Sequence, residues 1–243
     1  MRNFLYILLC LASAVSAQAF PDKPIRIVIP YTQGGGTDNL LRIISPTVSA
    51  NLGQPVIIDN RPGASSMIGS ELVSKASPDG YTLLATDSAF LINPGLFKSK
   101  LPFDTTQAFT GVSMLASAPV LLVLHPSVPA KTLPDLIALA RAKPGYLNYA
   151  SGGSGAATHV AGEMLKQITK VFIVHIPYKG TAPAMTDLLA GQVQMQFAGI
   201  STAKAHVDAG RLRAIAVTGK QRNPAMPNVP TFEEHGVLNL DEI

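Results

Sequence analysis

The sequence predicts an α/β protein built from two successive units that face each other across a cleft. Three observations carry this reading. Short β-branched runs alternate with apolar-periodic segments along most of the chain, the pattern of parallel strands joined by helices. Turns rich in glycine and hydroxyls recur where a strand hands over to a helix, first at Gln33-Gly-Gly-Gly-Thr37 and again at Ser151-Gly-Gly-Ser-Gly-Ala-Ala-Thr158. Between them the pattern becomes irregular from Asn93 to Ala118, with Pro94, Gly95, Pro102 and Gly111, which marks the passage from one unit to the next.

The first residues read as an export signal. Arg2 precedes an apolar stretch from Phe4 to Val15, and Val15-Ser-Ala17 and Ala17-Gln-Ala19 both offer small-residue cleavage sites, so residues 1–19 form a signal peptide cut after Ala17 or Ala19. That stretch is short for a bilayer span. The single cysteine, Cys10, falls inside it, which leaves the exported chain without thiol chemistry or disulfides. The 19 Lys+Arg include Arg2, and against 15 Asp+Glu they leave about +3 after cleavage. These charges are scattered, with no basic run and no aromatic interleaving, which argues against a nucleic-acid surface.

In the first unit, the strand from Ile25 stops at Pro30, three glycines open the backbone, and Thr37 or Asp38 caps a helix that reads clearly over Leu40 to Leu52. Such a junction leaves backbone N–H groups unpaired at the positive end of a helix, where a carboxylate or phosphate fits. Gly53-Gln-Pro55 ends the helix before the strand Val56-Ile-Ile-Asp59. Asn60-Arg-Pro-Gly-Ala-Ser-Ser66 then repeats the design with capping serines ahead of a helix over Met67 to Ala76. Ser77-Pro-Asp-Gly80 turns into the strand Tyr81 to Ala85, at whose end Thr86-Asp-Ser88 presents three polar side chains.

The second unit opens with the strand Val120 to Leu124 and a helix over Leu133 to Ala142, for which Thr132 is the cap and Pro134 and Asp135 suit the first turn. After Pro144-Gly145 come the strand Tyr146 to Ala150, the second glycine-rich turn and a helix to Thr169. The strand Val171 to Ile176, the turn Pro177-Tyr-Lys-Gly180, a helix over Pro183 to Ala190, the strand Val193 to Phe197, a helix over Ala203 to Ala209 and the strand Leu212 to Val217 complete it. Catalysis finds little support. Gly34-Gly35-Gly36 matches neither a dinucleotide fingerprint nor a Walker loop, Ser154 with His159 five positions on lacks the nucleophile-elbow pattern, and no cysteine pair or histidine cluster offers metal ligands.

At this point the residues resemble a known family. Pro30-Tyr31 with Gly34-Gly35 and Asp38, Asn60-Arg-Pro-Gly63, Pro78-Asp-Gly-Tyr-Thr-Leu83, Asn93-Pro94, Lys143-Pro-Gly145, Pro177-Tyr-Lys-Gly180, Asp187-Leu-Leu-Ala-Gly191, Leu212-Arg-Ala214 and Val229-Pro-Thr231 are similar to motifs of the extracytoplasmic receptors of tripartite tricarboxylate transporters, the Bug family. The similarity covers nearly all of residues 21–236. It implies a periplasmic, two-lobed Venus-flytrap protein of type II character, monomeric and without a cofactor. Such a receptor captures a small organic carboxylate, a di- or tricarboxylate or related acid, and hands it to membrane permease subunits. The other roles compatible with the same motifs are a ligand sensor for a two-component system and a truncated, nonfunctional member. The implied organisation is a first lobe over residues 20–118, a second over 119–217, and a segment 218–243 returning to the first.

Carried over residue by residue, the resemblance implies ligand contacts from Tyr31, Gly34, Gly35, Gly36, Thr37, Asp38, Ala64, Ser65, Ser66, Thr86 and Ser88 in the first lobe. The second contributes Ser151, Gly153, Ser154, Thr158, His159, Tyr178, Gly180, Phe197 and Ala198. Asp38 has a second reading as a helix cap, His159 as a packing or capping residue, Arg61 reads as a surface or interlobe residue ahead of a ligand contact, and His175 as structural. Three departures stand out. Thr32-Gln33 occupies the pair before the glycines where the family commonly has proline, Ala198 stands where an aspartate is usual, and the family continues well beyond Ile243, so part of the first lobe is expected to be missing.

Overall fold

The computed structural model describes residues 20–240; the expected leader over residues 1–19 and residues 241–243 lie outside that range. The first sheet is parallel, in the order β2-β1-β3, from β1 (Ile25–Ile29), β2 (Val56–Asn60) and β3 (Thr82–Leu84). Its central strand is apolar because helices cover it, and Val28 and Ile29 are wholly buried. Helices α1 (Gly36–Leu52) and α2 (Met67–Ser74) return the chain between strands. A side chain at Gly69 would lie 2.9 Å from the Pro30 backbone and from the Arg61 carbonyl, so glycine there lets α2 lie directly on the end of β1.

The segment expected to be irregular from Asn93 instead completes a helix, α3 (Ala89–Phe97), with Pro94 inside it. Tertiary anchoring outweighs the proline: Asp87 receives the Ala89 N–H at 2.9 Å and the Asn93 side chain is tied to the Ser65 carbonyl at 2.7 Å. Phe90, Phe103 and Phe109 then pack as a cluster with ring centroids 5.0 to 6.3 Å apart, folding residues 101–110 back over α3. The expected irregularity does hold from residue 101 to 119, where Val112 and Met114 are exposed.

The second sheet is mixed, in the order β6-β5-β7-β4-β8, from β4 (Val120–Leu124), β5 (Asn148–Ser151), β6 (Val174–Pro177), β7 (Met195–Gly199) and β8 (Arg213–Val217), with β4 antiparallel to both neighbours. Because β5, β6 and β7 run parallel, their carboxyl ends share one edge, where α5 (Ala157–Thr169), α6 (Thr181–Leu189) and α7 (Ile200–Asp208) begin. Alternation divides the side chains between two cores. Leu122, Leu124, Tyr149 and Phe197 pack with Leu133 and Leu136 of α4 (Leu133–Ala142) and with Leu165 of α5. Leu121, Val123, Ala150 and Ala198 pack with Ala184 and Leu188 of α6. The start of α4 is as expected: Thr132 and Asp135 form a reciprocal capping box.

The chain beyond β8 departs from expectation. Residues 218–240 do not return to the first sheet. Thr231 bridges to Val217, Met226 and Val229 join one core of the second sheet, and Phe232, Val237 and Leu240 join the other. The cause is a run of apolar residues that finds an uncovered edge beside β8, with Phe232 stacked on Phe197 at 5.9 Å. Among the described residues no helix is long and apolar enough to cross a membrane.

Helix α5 approaches β5 through Gly162, where a Cβ would sit 2.2 Å from the buried Tyr149 ring. We expect Gly162→Ala to destabilise the protein by about 1–3 kcal/mol, the usual cost of overpacking a core, measured as a lowered urea midpoint with an unchanged slope.

Candidate functional site

The carboxyl edges of the two sheets meet, and the site is made of the turns that leave them. After β1, Gly34 adopts a left-handed φ of 80° and Gly35 caps α1 in extended conformation without a side-chain bond. The helix therefore starts one turn earlier than the sequence indicates, and neither Thr37 nor Asp38 caps it. Among the described residues the N–H groups of Gly35, Gly36 and Thr37 have no acceptor, and they lie at the positive end of a 17-residue helix.

Asp38 fixes this turn from behind. Its side chain is 2% exposed; one oxygen accepts the Gly34 N–H at 2.9 Å and the Arg42 guanidinium at 2.8 Å, and the other accepts the Asn60 amide at 3.1 Å. Burial works to raise the pKa of this carboxyl, but the bonds from Arg42, Gly34 and Asn60 outweigh it and hold the group below the ordinary range. Asn60 also donates to the Tyr31 carbonyl at 3.1 Å, so β1, β2 and α1 converge on one carboxylate.

After β2, the residues Ala64, Ser65 and Ser66 have φ values of 47°, 53° and 72°. Three successive non-glycine residues in the left-handed region are costly, on the order of 1–2 kcal/mol each. The turn is held by Asn93, which donates to the Ser65 carbonyl and, at 3.1 Å, to Ser66 Oγ. The serines therefore do not cap α2 as expected: Ser66 enters the helix left-handed, with its hydroxyl turned to Asn93.

After β3, Asp87 accepts the Tyr31 hydroxyl at 2.5 Å, and Thr86 Oγ1 lies 3.2 Å from the same hydroxyl. Asp87 and Ser88 are open to solvent, yet the protein packed around the Asp87–Tyr31 pair removes part of the hydration of that carboxyl. That desolvation raises the Asp87 pKa and, with the Asp87 carboxylate beside it, pushes the Tyr31 hydroxyl well above its ordinary value.

The second glycine-rich turn is built differently, because its own side chains take up three of its N–H groups. Ser151 Oγ accepts the Gly153 N–H at 3.1 Å, Thr158 Oγ1 accepts the Gly152 N–H at 3.0 Å, and His159 Nδ1 accepts the Gly155 N–H at 3.0 Å. Among the described residues the Ser154, Ala157 and Thr158 N–H groups remain without an acceptor. Behind the turn His175 lies 2.6 Å from Ser151 Oγ and stacks between the Tyr149 and His159 rings at 4.8 and 4.2 Å. Tyr149 and Lys166 both reach Glu163, at 2.6 and 2.7 Å. Burial lowers the His159 pKa; burial together with the neighbouring His159 lowers that of His175 to about 4.

The two edges touch through glycines. The Thr32 N–H donates across the junction to the Lys179 carbonyl at 3.3 Å, and at Gly180, with φ 148°, a Cβ would fall 2.2 Å from Thr32 Oγ1. A Cβ at Gly35 would lie 3.1 Å from Thr181 Oγ1 and one at Gly155 would lie 2.6 Å from Asn93 Oδ1. A cavity of about 340 Å³ opens beside this junction, lined by Gly34, Asn39, Thr181, Ala182, Ser201 and Thr202 among others.

The structure thus gathers Tyr31, Gly34, Gly35, Gly36, Thr37, Ala64, Ser65, Ser66, Thr86 and Ser88 on one side, and Ser151, Gly153, Ser154, Thr158, His159 and Gly180 on the other. It does not bring Phe197 or Ala198 there: both are wholly buried and pack in the two cores of the second sheet. Tyr178 turns its hydroxyl to Asp187 at 2.6 Å, which, with burial, raises its pKa to about 12. Asp38, Ser151, Thr158 and His159 act on the turns and not outward. Sequence reasoning missed Asn93 and Gln196. Each is almost wholly buried, and the Asn93 Oδ1 and Gln196 Oε1 atoms have no partner, as is also true of Thr32 Oγ1. The Asn93-Pro94 pair was a signal for the first; a glutamine inside an apolar strand was the signal for the second. Among the described residues no cluster of His, Cys, Asp and Glu is arranged to hold a metal.

Comparison with known proteins fits this geometry. The profile described as tripartite tricarboxylate transporter family receptor matches residues 40–243. A UPF0065 protein from the tcbD-tcbE intergenic region of Pseudomonas sp. strain P51 is 37% identical over 89% of this chain, which spans 64% of that relative's length. The protein BugT of Bordetella pertussis is 36% identical over 93% of this chain and 70% of its own. Among solved structures, an R. palustris protein with adipate superimposes with a TM-score of 0.86 at 36% identity, over 90% of this chain and 74% of that one. MatC from Rhodopseudomonas palustris with bound malate superimposes with a TM-score of 0.84 at 31% identity over the same shares.

The histidines behind the second turn carry a pH signature. His175 is depressed in the folded protein to about 4 from 6.5, so its contribution to stability is complete above pH 6.5 and is lost as pH falls through about 4, because the unfolded chain takes up the proton first. We expect the thermal midpoint to decline over that window, and His175→Gln to flatten the decline; an equal slope in the variant contradicts the assignment.

Proposed function

The chain belongs to the tripartite tricarboxylate transporter receptor family, the Bug family, and from that premise we propose that it is an exported receptor that binds a small organic carboxylate between two lobes. The observation that carries this reading is the set of unpaired N–H groups at Gly35, Gly36 and Thr37, rigidly held and facing the second lobe. Main-chain donors at a helix start hold a carboxylate without needing a cationic side chain. The relatives solved with adipate and malate support a ligand of that class, a di- or tricarboxylate or related acid.

In this reading the first lobe, residues 20–118, receives the carboxylate, and the second lobe, 119–217, closes over it. Among the described residues the chain crosses between them once, through residues 101–119, and its entry into the second lobe is anchored there: the Val120 N–H donates to Thr218 Oγ1 and the Thr218 N–H to the Val120 carbonyl, each at 2.9 Å. Closure excludes water and strengthens each hydrogen bond. The receptor acts in the periplasm as a monomer, delivered there by the leader over residues 1–19, and presents the loaded, closed form to the membrane permease subunits.

The test is thermal unfolding of the purified protein with a panel of di-, tri- and monocarboxylates. We expect one acid to raise the midpoint in proportion to the logarithm of its concentration, whereas no shift with any acid contradicts the reading. Gly180→Ala, whose new methyl meets Thr32 at a backbone φ of 148°, holds the lobes apart and is expected to lower affinity by roughly tenfold or more, about 1.4 kcal/mol, with a lowered unliganded midpoint from the strained backbone, so the affinity is measured by titration well below that midpoint.

A further inference from the structure

One histidine holds the second turn in a way that depends on its charge. His159 stands in the first turn of α5 and reaches back, so that its Nδ1 accepts the Gly155 N–H at 3.0 Å. A ring nitrogen that accepts a hydrogen bond carries no proton, which places the hydrogen of the neutral ring on Nε2. That nitrogen lies 3.9 Å from Glu163 Oε1. A second proton can enter only at Nδ1, where it would face the Gly155 N–H, donor against donor. Protonation and the hydrogen bond therefore exclude each other.

Few groups surround this ring. From α5 itself come Glu163 and Lys166, paired at 2.7 Å; from β5 comes the Tyr149 hydroxyl, bonded to Glu163 at 2.6 Å; from β6 comes His175, stacked on His159 at 4.2 Å. Burial opposes an added proton, Glu163 favours it and Lys166 opposes it, and the balance holds the His159 pKa below its ordinary 6.5. His175 answers acid differently. Its Nε2 meets Ser151 Oγ at 2.6 Å, and a hydroxyl can donate to the neutral ring or accept from the charged one, so that contact survives protonation.

Gly155 is also a contact of the lobe junction. Its φ is 86°, and a Cβ there would lie 2.6 Å from Asn93 Oδ1 and 3.3 Å from Leu96 Cδ1, both on α3 and both uncharged. Asn93 is tied in turn to the Ser65 carbonyl and to Ser66 Oγ. A shift at Gly155 is thereby passed to the turn that follows β2.

We propose that His159 is a positioning residue: neutral, it holds Gly155 against Asn93 of the first lobe, and protonated, it releases the second turn and loosens the junction. In the receptor reading above, on which this consequence rests, acid weakens the closed form and with it the hold on a carboxylate.

The experiment is a pH titration of the unliganded, isotope-labelled protein followed by amide and imidazole NMR, with His159→Asn, His159→Leu and His175→Gln alongside. In the parent, the Gly155 amide proton is expected to move upfield with the midpoint of the His159 ring, below pH 6.5, and the Asn93 side-chain amide to shift with the same midpoint. The oxygen of His159→Asn stands near the place of Nδ1 and takes no proton, so this variant keeps the downfield Gly155 amide and loses the response. His159→Leu shows the upfield position at every pH, and His175→Gln keeps the response. A Gly155 amide that ignores the His159 titration overturns the proposal, and the parent alone decides this even where a variant fails to fold. A response that persists in His159→Asn, or vanishes in His175→Gln, overturns it as well. A Gly155 shift that leaves Asn93 unmoved overturns the link to the junction. No ligand enters this titration, so it can fail while carboxylate binding stands, and the reverse.

Discussion

An anion seat made of main-chain N–H groups depends on the backbone being held still, because glycines that open the chain to a ligand also free it to move. In this protein the buried Asp38 carboxylate resolves that conflict. It takes the Gly34 N–H, the Arg42 guanidinium and the Asn60 amide, and so joins the turn to the helix that follows it and to the neighbouring strand. Arg42 balances a negative charge that would otherwise stand behind an anion. With both Asp38 oxygens occupied from within, the N–H groups of Gly35, Gly36 and Thr37 are the part of the turn that faces outward.

The two glycine-rich turns look alike in sequence but do different work. In the first, Asp38 takes the Gly34 N–H alone; in the second, Ser151, Thr158 and His159 take up the donors of Gly153, Gly152 and Gly155, those of Ser154, Ala157 and Thr158 have no acceptor among the described residues, and His175 lies against Ser151. The second turn is therefore a stiff surface whose glycines serve close approach. A Cβ at Gly155 or Gly180 would collide with Asn93 or Thr32 across the junction.

Much of this was legible locally. The capping box at Thr132 and Asp135, the five residues of β4 and the alternation of strands with helices follow from short-range chemistry, and the structure has them where the sequence indicates. The glycine-rich and serine-rich turns were legible as strand-to-helix turns for the same reason. What escaped depends on contacts distant in sequence. Helix α3 survives Pro94 because Asn93 is tied to Ser65. Residues 218–240 pack on the second sheet because Phe232 finds Phe197, and that same packing withdraws Phe197 from the cleft. Gln196 is one residue from the expected position, and strand alternation places it and Ala198 on the face opposite Phe197.

In the proposed receptor, free N–H groups at the start of α1 receive the ligand carboxylate. Amide-resolved NMR titration with the acid that stabilises the protein addresses it most directly. The Gly35, Gly36 and Thr37 amide protons are expected to move downfield together, saturating with the same affinity as the thermal shift. Saturating changes confined to other residues, with these three amides unmoved, would contradict it.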